Sequence, residues 1–114
     1  MPDTQTLKVI PLESFKSDFK KLQKRYRNIK EDVKKLADEL QNNPRAGIAL
    51  HHNCYKIRLA NSSVPTGKSG GFRTIYYYLD LHKHVYLMAI YSKTQKESIS
   101  DSELLGLLKV NGLG

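Results

Sequence analysis

With 114 residues and a formal charge of +8 (19 Lys plus Arg against 11 Asp plus Glu), the chain is long enough for one domain, residues 1–114, and too short for a multidomain enzyme. Its 39% hydrophobic and 26% charged residues allow a modest core and exclude a disordered composition. A domain this small and this basic points to a polyanion or an acidic protein as partner.

Residues 7–10 (LKVI) read as a short strand that Pro11 ends. From Ser14 the period turns helical. Phe15, Phe19, Leu22 and Tyr26 fall on one stripe, and Ser14 is placed to cap the first turn. A second helix carries Ile29, Val33, Leu36, Ala37 and Leu40 on one face and stops at Asn42, Asn43 and Pro44. Two amphipathic helices this close predict an αα-hairpin.

After Gly47 the period falls to 2. Residues 55–60 (YKIRLA) predict a strand with Tyr55, Ile57 and Leu59 on one face and Lys56 and Arg58 on the other. Residues 61–71 are loop by composition, and residues 72–80 (FRTIYYYLD) and 85–93 (VYLMAIYSK) predict an antiparallel hairpin. Residues 100–110 predict a last short helix, capped by Ser100 or Ser102 and with Asp101 and Glu103 near the positive end of its dipole. The order β-α-α-β-β-β-α implies an α+β fold, with two helices on one face of a twisted antiparallel sheet and the other face left for function.

No stretch approaches the ~20 apolar residues that span a bilayer. The polar start MPDTQT lacks the pattern of a secretory leader. One cysteine, Cys54, cannot form an internal disulfide. Together these lead to the expectation of a cytoplasmic protein with no membrane partner. Cys54 reads first as a small residue near a strand start, with a thiol nucleophile beside His51 and His52 as the alternative.

Cations are distributed in two groups. Lys16, Lys20, Lys24 and Arg27 recur at helical spacing, with Lys21, Arg25, Lys30, Lys34 and Lys35 beside them. Only Asp18, Glu31 and Asp32 stand between Lys16 and Lys35. That is too few acids for a face laced with salt bridges, so the stripe is a candidate phosphate footprint as well as a solvated face. In the second group, Lys56 and Arg58 point the same way from their strand and Arg73 opens the next. If these strands pair, three cations crowd one patch. Such crowding favours the neutral amine at Lys56, which could then act as a base.

The segment PTGKSGG is not a nucleotide-binding loop, because Ser62 stands where the first glycine belongs and strands flank it. It leaves Lys68 and free backbone amides as possible phosphate contacts. His51, His52, His82 and His84 do not match a zinc spacing and read as turn or surface residues. Tyr76, Tyr77 and Tyr78 read as sheet packing. Tyr91, near Lys93 at a strand end, is a candidate to stack on an unpaired base.

Over residues 7–110, and most strongly over residues 55–93, the chain resembles the RelE/HigB group of bacterial toxin–antitoxin toxins within the RelE/ParE superfamily. The resemblance rests on Lys56-x-Arg58, Gly70-Gly71-x-Arg73 and Tyr91-x-Lys93, in that order. It implies a metal-independent endoribonuclease, free of cofactors, that cuts mRNA on the ribosome by attack of the ribose 2′-OH on the adjacent phosphate. It also implies a cognate antitoxin, a helix-turn-helix protein. By position, Lys56, Arg58, Arg73, Tyr91 and Lys93 match the catalytic set, while Lys16, Lys20, Lys24, Arg27 and Lys68 are left to hold ribosomal RNA. Thr94 and Ser100 depart from the RelE pattern and bring the chain closer to the HigB branch. The alternatives are a non-catalytic, ParE-like toxin that binds DNA gyrase, or an inactive RNA-binding relative.

Overall fold

Helix-helix and helix-sheet packing follow the sequence stripes closely. In the computed structural model, residues 7–64, 71–93, 95 and 98–113 are described. Strand β1 (Lys8–Pro11) leads into α1 (Glu13–Gln23) and α2 (Ile29–Asn42). A two-residue strand β2 (Ile48–Ala49) precedes β3 (Cys54–Leu59), β4 (Phe72–Leu79) and β5 (His84–Ser92), and α3 (Asp101–Val110) closes the chain.

The sheet runs β1-β5-β4-β3-β2. The α+β expectation holds, but the sheet is mixed, not wholly antiparallel. β1 pairs parallel with β5, Lys8 beside His84 and Pro11 beside Leu87. The cause is topological, since the αα-hairpin carries the chain across one face before β2 begins and β1 remains at the far edge. β1 stops at Pro11, so the last part of β5 lacks a strand neighbour on that side. Asp18 of α1 takes its place there, and the Ile90 N–H donates to Asp18 Oδ2 at 3.1 Å.

Alternation on the strands gives the sheet two apolar faces. Ile57, Leu59, Phe72, Tyr76, Tyr78, Leu87 and Ile90 pack with Phe15, Leu22, Ile29, Leu36 and Leu40 of α1 and α2. The opposite face, with Cys54, Ile75, Tyr77, Ala89 and Tyr91, packs under Leu104 and Leu108 of α3. Tyr76, Tyr77 and Tyr78 are all buried, as sheet packing requires.

Ser14 is not the cap of α1. The cap position is Leu12, and no side chain caps the helix. Lying within the first turn, the Ser14 hydroxyl instead donates to the Met88 carbonyl at 2.5 Å and accepts from Asn111 Nδ2 at 3.0 Å. It therefore ties α1 to β5 and to the end of α3. Ser100 does cap α3, in a capping box: Glu103 N–H donates to Ser100 Oγ at 3.1 Å and Ser100 N–H to Glu103 Oε1 at 2.9 Å.

The turn between β2 and β3 places His52 and Asn53 at φ 61° and 62°, the left-handed pair of a tight hairpin. Asp32, 2% exposed, receives the Ser62 N–H at 3.0 Å and anchors the segment leaving β3 against α2. Among the described residues no helix is long and apolar enough to cross a membrane.

Candidate functional site

The cations converge where strand register and strand alternation agree. Arg58 of β3 lies directly opposite Arg73 of β4, and Arg73 lies opposite Tyr91 of β5. Opposed residues point to the same face with Cβ atoms about 5 Å apart, so Arg58, Arg73 and Tyr91 form a row across three strands. Lys56, two positions before Arg58, shares that face and is paired with Ile48 of β2 and Ile75 of β4.

This is the face that α3 packs on. Leu104 and Leu108 cover its β4–β5 half, and Arg73 and Tyr91 are 5% and 7% exposed. Lys56 is half-buried and Arg58 exposed. The uncovered half opens into a cleft of about 660 Å³ that passes around the β2–β3 edge, lined by Lys56, Arg58 and Arg73 together with Glu39 of α2, Ala46, Gly47, Ile48, Ile57 and Ser98. Its floor reaches the edge of β3, because β2 pairs only with Tyr55 and Lys56. Gly47 is forced by that packing: a Cβ there would lie 2.7 Å from the Lys56 carbonyl oxygen.

Three cations lining one cleft repel one another unless anions intervene. Among the described residues the ion pairs are Lys16–Glu13, Arg45–Asp80 and His52–Asp101, none of them at the cleft. Arg73 is steadied by a bond from Nη1 to the Phe72 carbonyl at 3.2 Å. Burial pushes the Tyr91 hydroxyl above its ordinary pKa, while Arg73 beside it pulls the other way. The tyrosine thus remains a neutral phenol against the guanidinium. With its hydroxyl buried and its ring 7% exposed, Tyr91 lies beside Arg73 and is not an open platform for a base.

Other sequence candidates lie elsewhere. Lys93 is exposed just beyond β5, its N–H donating to the Gly71 carbonyl at 3.1 Å, and it does not line the cleft. Lys16 and Lys20 project from α1, with Lys24 and Arg27 in the exposed connection after it. That helix packs on the opposite face of the sheet. Lys16, Lys30 and Lys34 border a second, largely apolar groove of about 600 Å³ between α1 and α2, floored by Phe15, Phe19, Val33 and Ala37. Lys68 lies outside the described residues.

Cys54 is no nucleophile. It is fully buried, and burial pushes its thiol up to about 12, so it stays protonated. His51 and His52 sit in the exposed β2–β3 turn, His82 is exposed, and His84 Nδ1 lies 3.1 Å from the Tyr86 hydroxyl. Among the described residues no three His, Cys, Asp or Glu side chains gather to hold a metal ion. Glu39, Gly47 and Ile48 are cleft residues that sequence reasoning missed, since a two-residue strand shows no periodicity and Glu39 reads as one more polar position on α2.

No protein-family model matches the chain. Solved structures do. A mutant of E. coli toxin RelE in the free state aligns with TM-score 0.60 and 19% identity, over 93% of this chain and 98% of that one. The isolated E. coli RelE toxin in a P21 crystal form aligns with TM-score 0.57 and 20% identity, over 91% and 98%. The chain therefore has a RelE-like α+β fold: a five-stranded mixed sheet with two helices packed on it and a short C-terminal helix.

Proposed function

We propose that this protein is the toxin of a toxin–antitoxin system, a ribosome-dependent endoribonuclease of RelE/HigB type working in the cytoplasm as one domain. The observation that carries the reading is the opposed pair Arg58 and Arg73, with Lys56 one step along the same face, around one cleft in which no ion pair forms among the described residues. A phosphodiester there relieves the mutual repulsion of the cations, and two solved structures of like fold are RelE toxins.

The step we assign is internal transesterification. Lys56 is the group assigned to take the proton of the ribose 2′-OH. The 2′-oxygen bonds to the adjacent phosphorus, and the bond from phosphorus to the 5′-oxygen breaks. The leaving 5′-oxygen takes its proton from water, the products are a 2′,3′-cyclic phosphate and a 5′-OH, and no metal, redox partner or cofactor is consumed. Arg58 and Arg73 bear the charge that grows on the phosphorane oxygens, where preorganised donors have their largest effect. The exposed ammonium of Lys93 is assigned to substrate that extends past the end of β5, and Tyr91 is assigned the place beside Arg73 on the same face.

Messenger RNA on the ribosome is the substrate in this reading. A protein of this size wedged between walls of ribosomal RNA meets phosphates on more than one side, which gives Lys16, Lys20, Lys24 and Arg27 their use away from the cleft, and Lys68 is assigned to the same ribosomal contact. An antitoxin, of helix-turn-helix type in this family, is the controlling partner. The test is cleavage of mRNA on programmed ribosomes: wild type cuts, and Arg58→Ala does not. Growth arrest accompanied by gyrase poisoning, with mRNA intact, would overturn the reading.

A further inference from the structure

The connection from β5 to α3 brings a hydroxyl to the cationic cleft. Ser98 lines it beside Lys56, Arg58 and Arg73, is exposed, and is the one hydroxyl side chain among the described lining residues. Its place is held from the C-terminal side. Ile99 packs against the cluster that contains Leu104 and Leu108, and Ser100 is locked in the capping box with Glu103. Ser98 therefore stands two residues before the cap of α3, near the positive end of that helix's dipole.

A serine hydroxyl adds no charge, so the cleft keeps its cations. Among the described residues Glu39 is the one carboxylate lining it, and no ion pair forms there. A phosphate ester on Ser98 reverses that balance. It carries a charge of about −1.5 to −2 at pH 7 and three strong acceptor oxygens, and opposite clustered arginines it gains charge-assisted hydrogen bonds. Attached to the same chain, it meets the cations at an effective concentration on the order of millimolar, whereas a substrate must arrive from solution.

We propose that Ser98 is a phosphorylation site whose phosphate occupies the cleft in cis, among Lys56, Arg58 and Arg73, and shuts it to RNA. The transfer is made by a serine kinase from a nucleoside triphosphate. Ser98 Oγ bonds to the γ-phosphorus, and the bond from that phosphorus to the β,γ-bridging oxygen breaks. The hydroxyl proton passes to a base of the kinase, and a nucleoside diphosphate leaves. Hydrolysis of the ester by a phosphatase reopens the cleft. This inference rests on the RNA-cleavage reading and adds to it the regulation of the site.

The experiment uses the full-length protein unmodified, with phosphoserine installed at Ser98, or with phosphoserine installed at Ser102, which is exposed on α3 and outside the cleft lining. On mRNA-programmed ribosomes the Ser98 phosphoprotein should cut about 100-fold or more slower than the unmodified chain. Phosphatase should restore its rate, and the Ser102 phosphoprotein should cut close to the unmodified rate. Phosphorus NMR reads the contact itself. The phosphate on Ser98 should titrate clearly below its ordinary value of about 6, and Arg58→Ala in the same phosphoprotein should return it toward that value. A melting temperature above that of the assay shows that each form is folded. Mass spectrometry of the chain from growing cells of its source should find the phosphate on Ser98. Equal cutting with and without it, an equal loss in the Ser102 form, a titration at the ordinary value, or a Ser98 never found modified overturns the switch and leaves the nuclease reading standing. If the unmodified protein cuts no mRNA, the nuclease reading falls and takes the switch with it.

Discussion

Arg58 and Arg73 face each other across the β3–β4 ladder, one exposed and the other 5% exposed. The pair divides labour by depth. Arg73 is fixed between Arg58 and Tyr91 and donates to the Phe72 carbonyl, whereas Arg58 is open to a ligand. Removing one preorganised donor from a charge-stabilising site costs about 10²–10³ in rate. Arg58→Ala should lower mRNA cleavage on ribosomes by that factor and leave the melting temperature within a few degrees. Arg73→Ala should lose cleavage at least as far and also some stability, because its side chain is packed.

Much of this arrangement is legible without coordinates. The i, i+2 spacing puts Lys56 and Arg58 on one strand face, and the apolar stripe of Phe15, Phe19 and Leu22 sets the packing of α1. A serine cap on α3 at Ser100 or Ser102 is legible too, and the capping box with Glu103 selects Ser100. What could not be read is set by long-range pairing. The parallel pairing of β1 depends on where the hairpin of helices returns the chain. The facing of Arg58 and Arg73 depends on the register across residues 60–71. Glu39 enters the cleft only because β2 is two residues long and leaves the edge of β3 open. Ser14 had the composition of a cap, yet the Met88 carbonyl is its partner.

Asp18 closes the open edge of β5 in place of a strand. Asp18→Ala should leave the Ile90 N–H without its charged acceptor and cost about 1–3 kcal/mol. Urea unfolding of wild type and variant measures this. A cost near zero would show that the edge is satisfied without α1.

Gly71 has no room for a side chain, since a Cβ would fall 2.1 Å from the Leu59 carbonyl oxygen. Backbone atoms cannot swing aside as a side-chain tip can. Gly71→Ala should therefore destabilise by about 3 kcal/mol through overpacking and shift Arg73 from its place opposite Arg58. Denaturation together with the cleavage assay checks both effects. A variant as stable and active as wild type would contradict the register of β3 and β4.

Alkaline pH should weaken the fold in a defined window. Burial raises the Cys54 thiol from 9.0 to about 12 and the Tyr76 hydroxyl from 10.0 to about 12. Between the unfolded and folded values the folded chain holds more protons than the unfolded one. Stability from these groups is therefore full below pH 9 and falls as pH rises toward 12, at about 1.4 kcal/mol per pH unit per group. Cys54→Ala should flatten the first part of that decline, between pH 9 and 10. Urea midpoints measured across pH 7–11 read the effect, and a flat profile in wild type would show that both groups are hydrated in the folded state.

The most direct measurement is the mapping of new 5′-OH ends in cellular mRNA after induction of wild type and of Arg58→Ala. The cationic cleft predicts codon-linked mRNA ends with growth arrest for wild type, and neither for the variant. Arrest by wild type with mRNA intact, or equal cutting by Arg58→Ala, would contradict a phosphodiester-cleaving role for the Arg58–Arg73 pair.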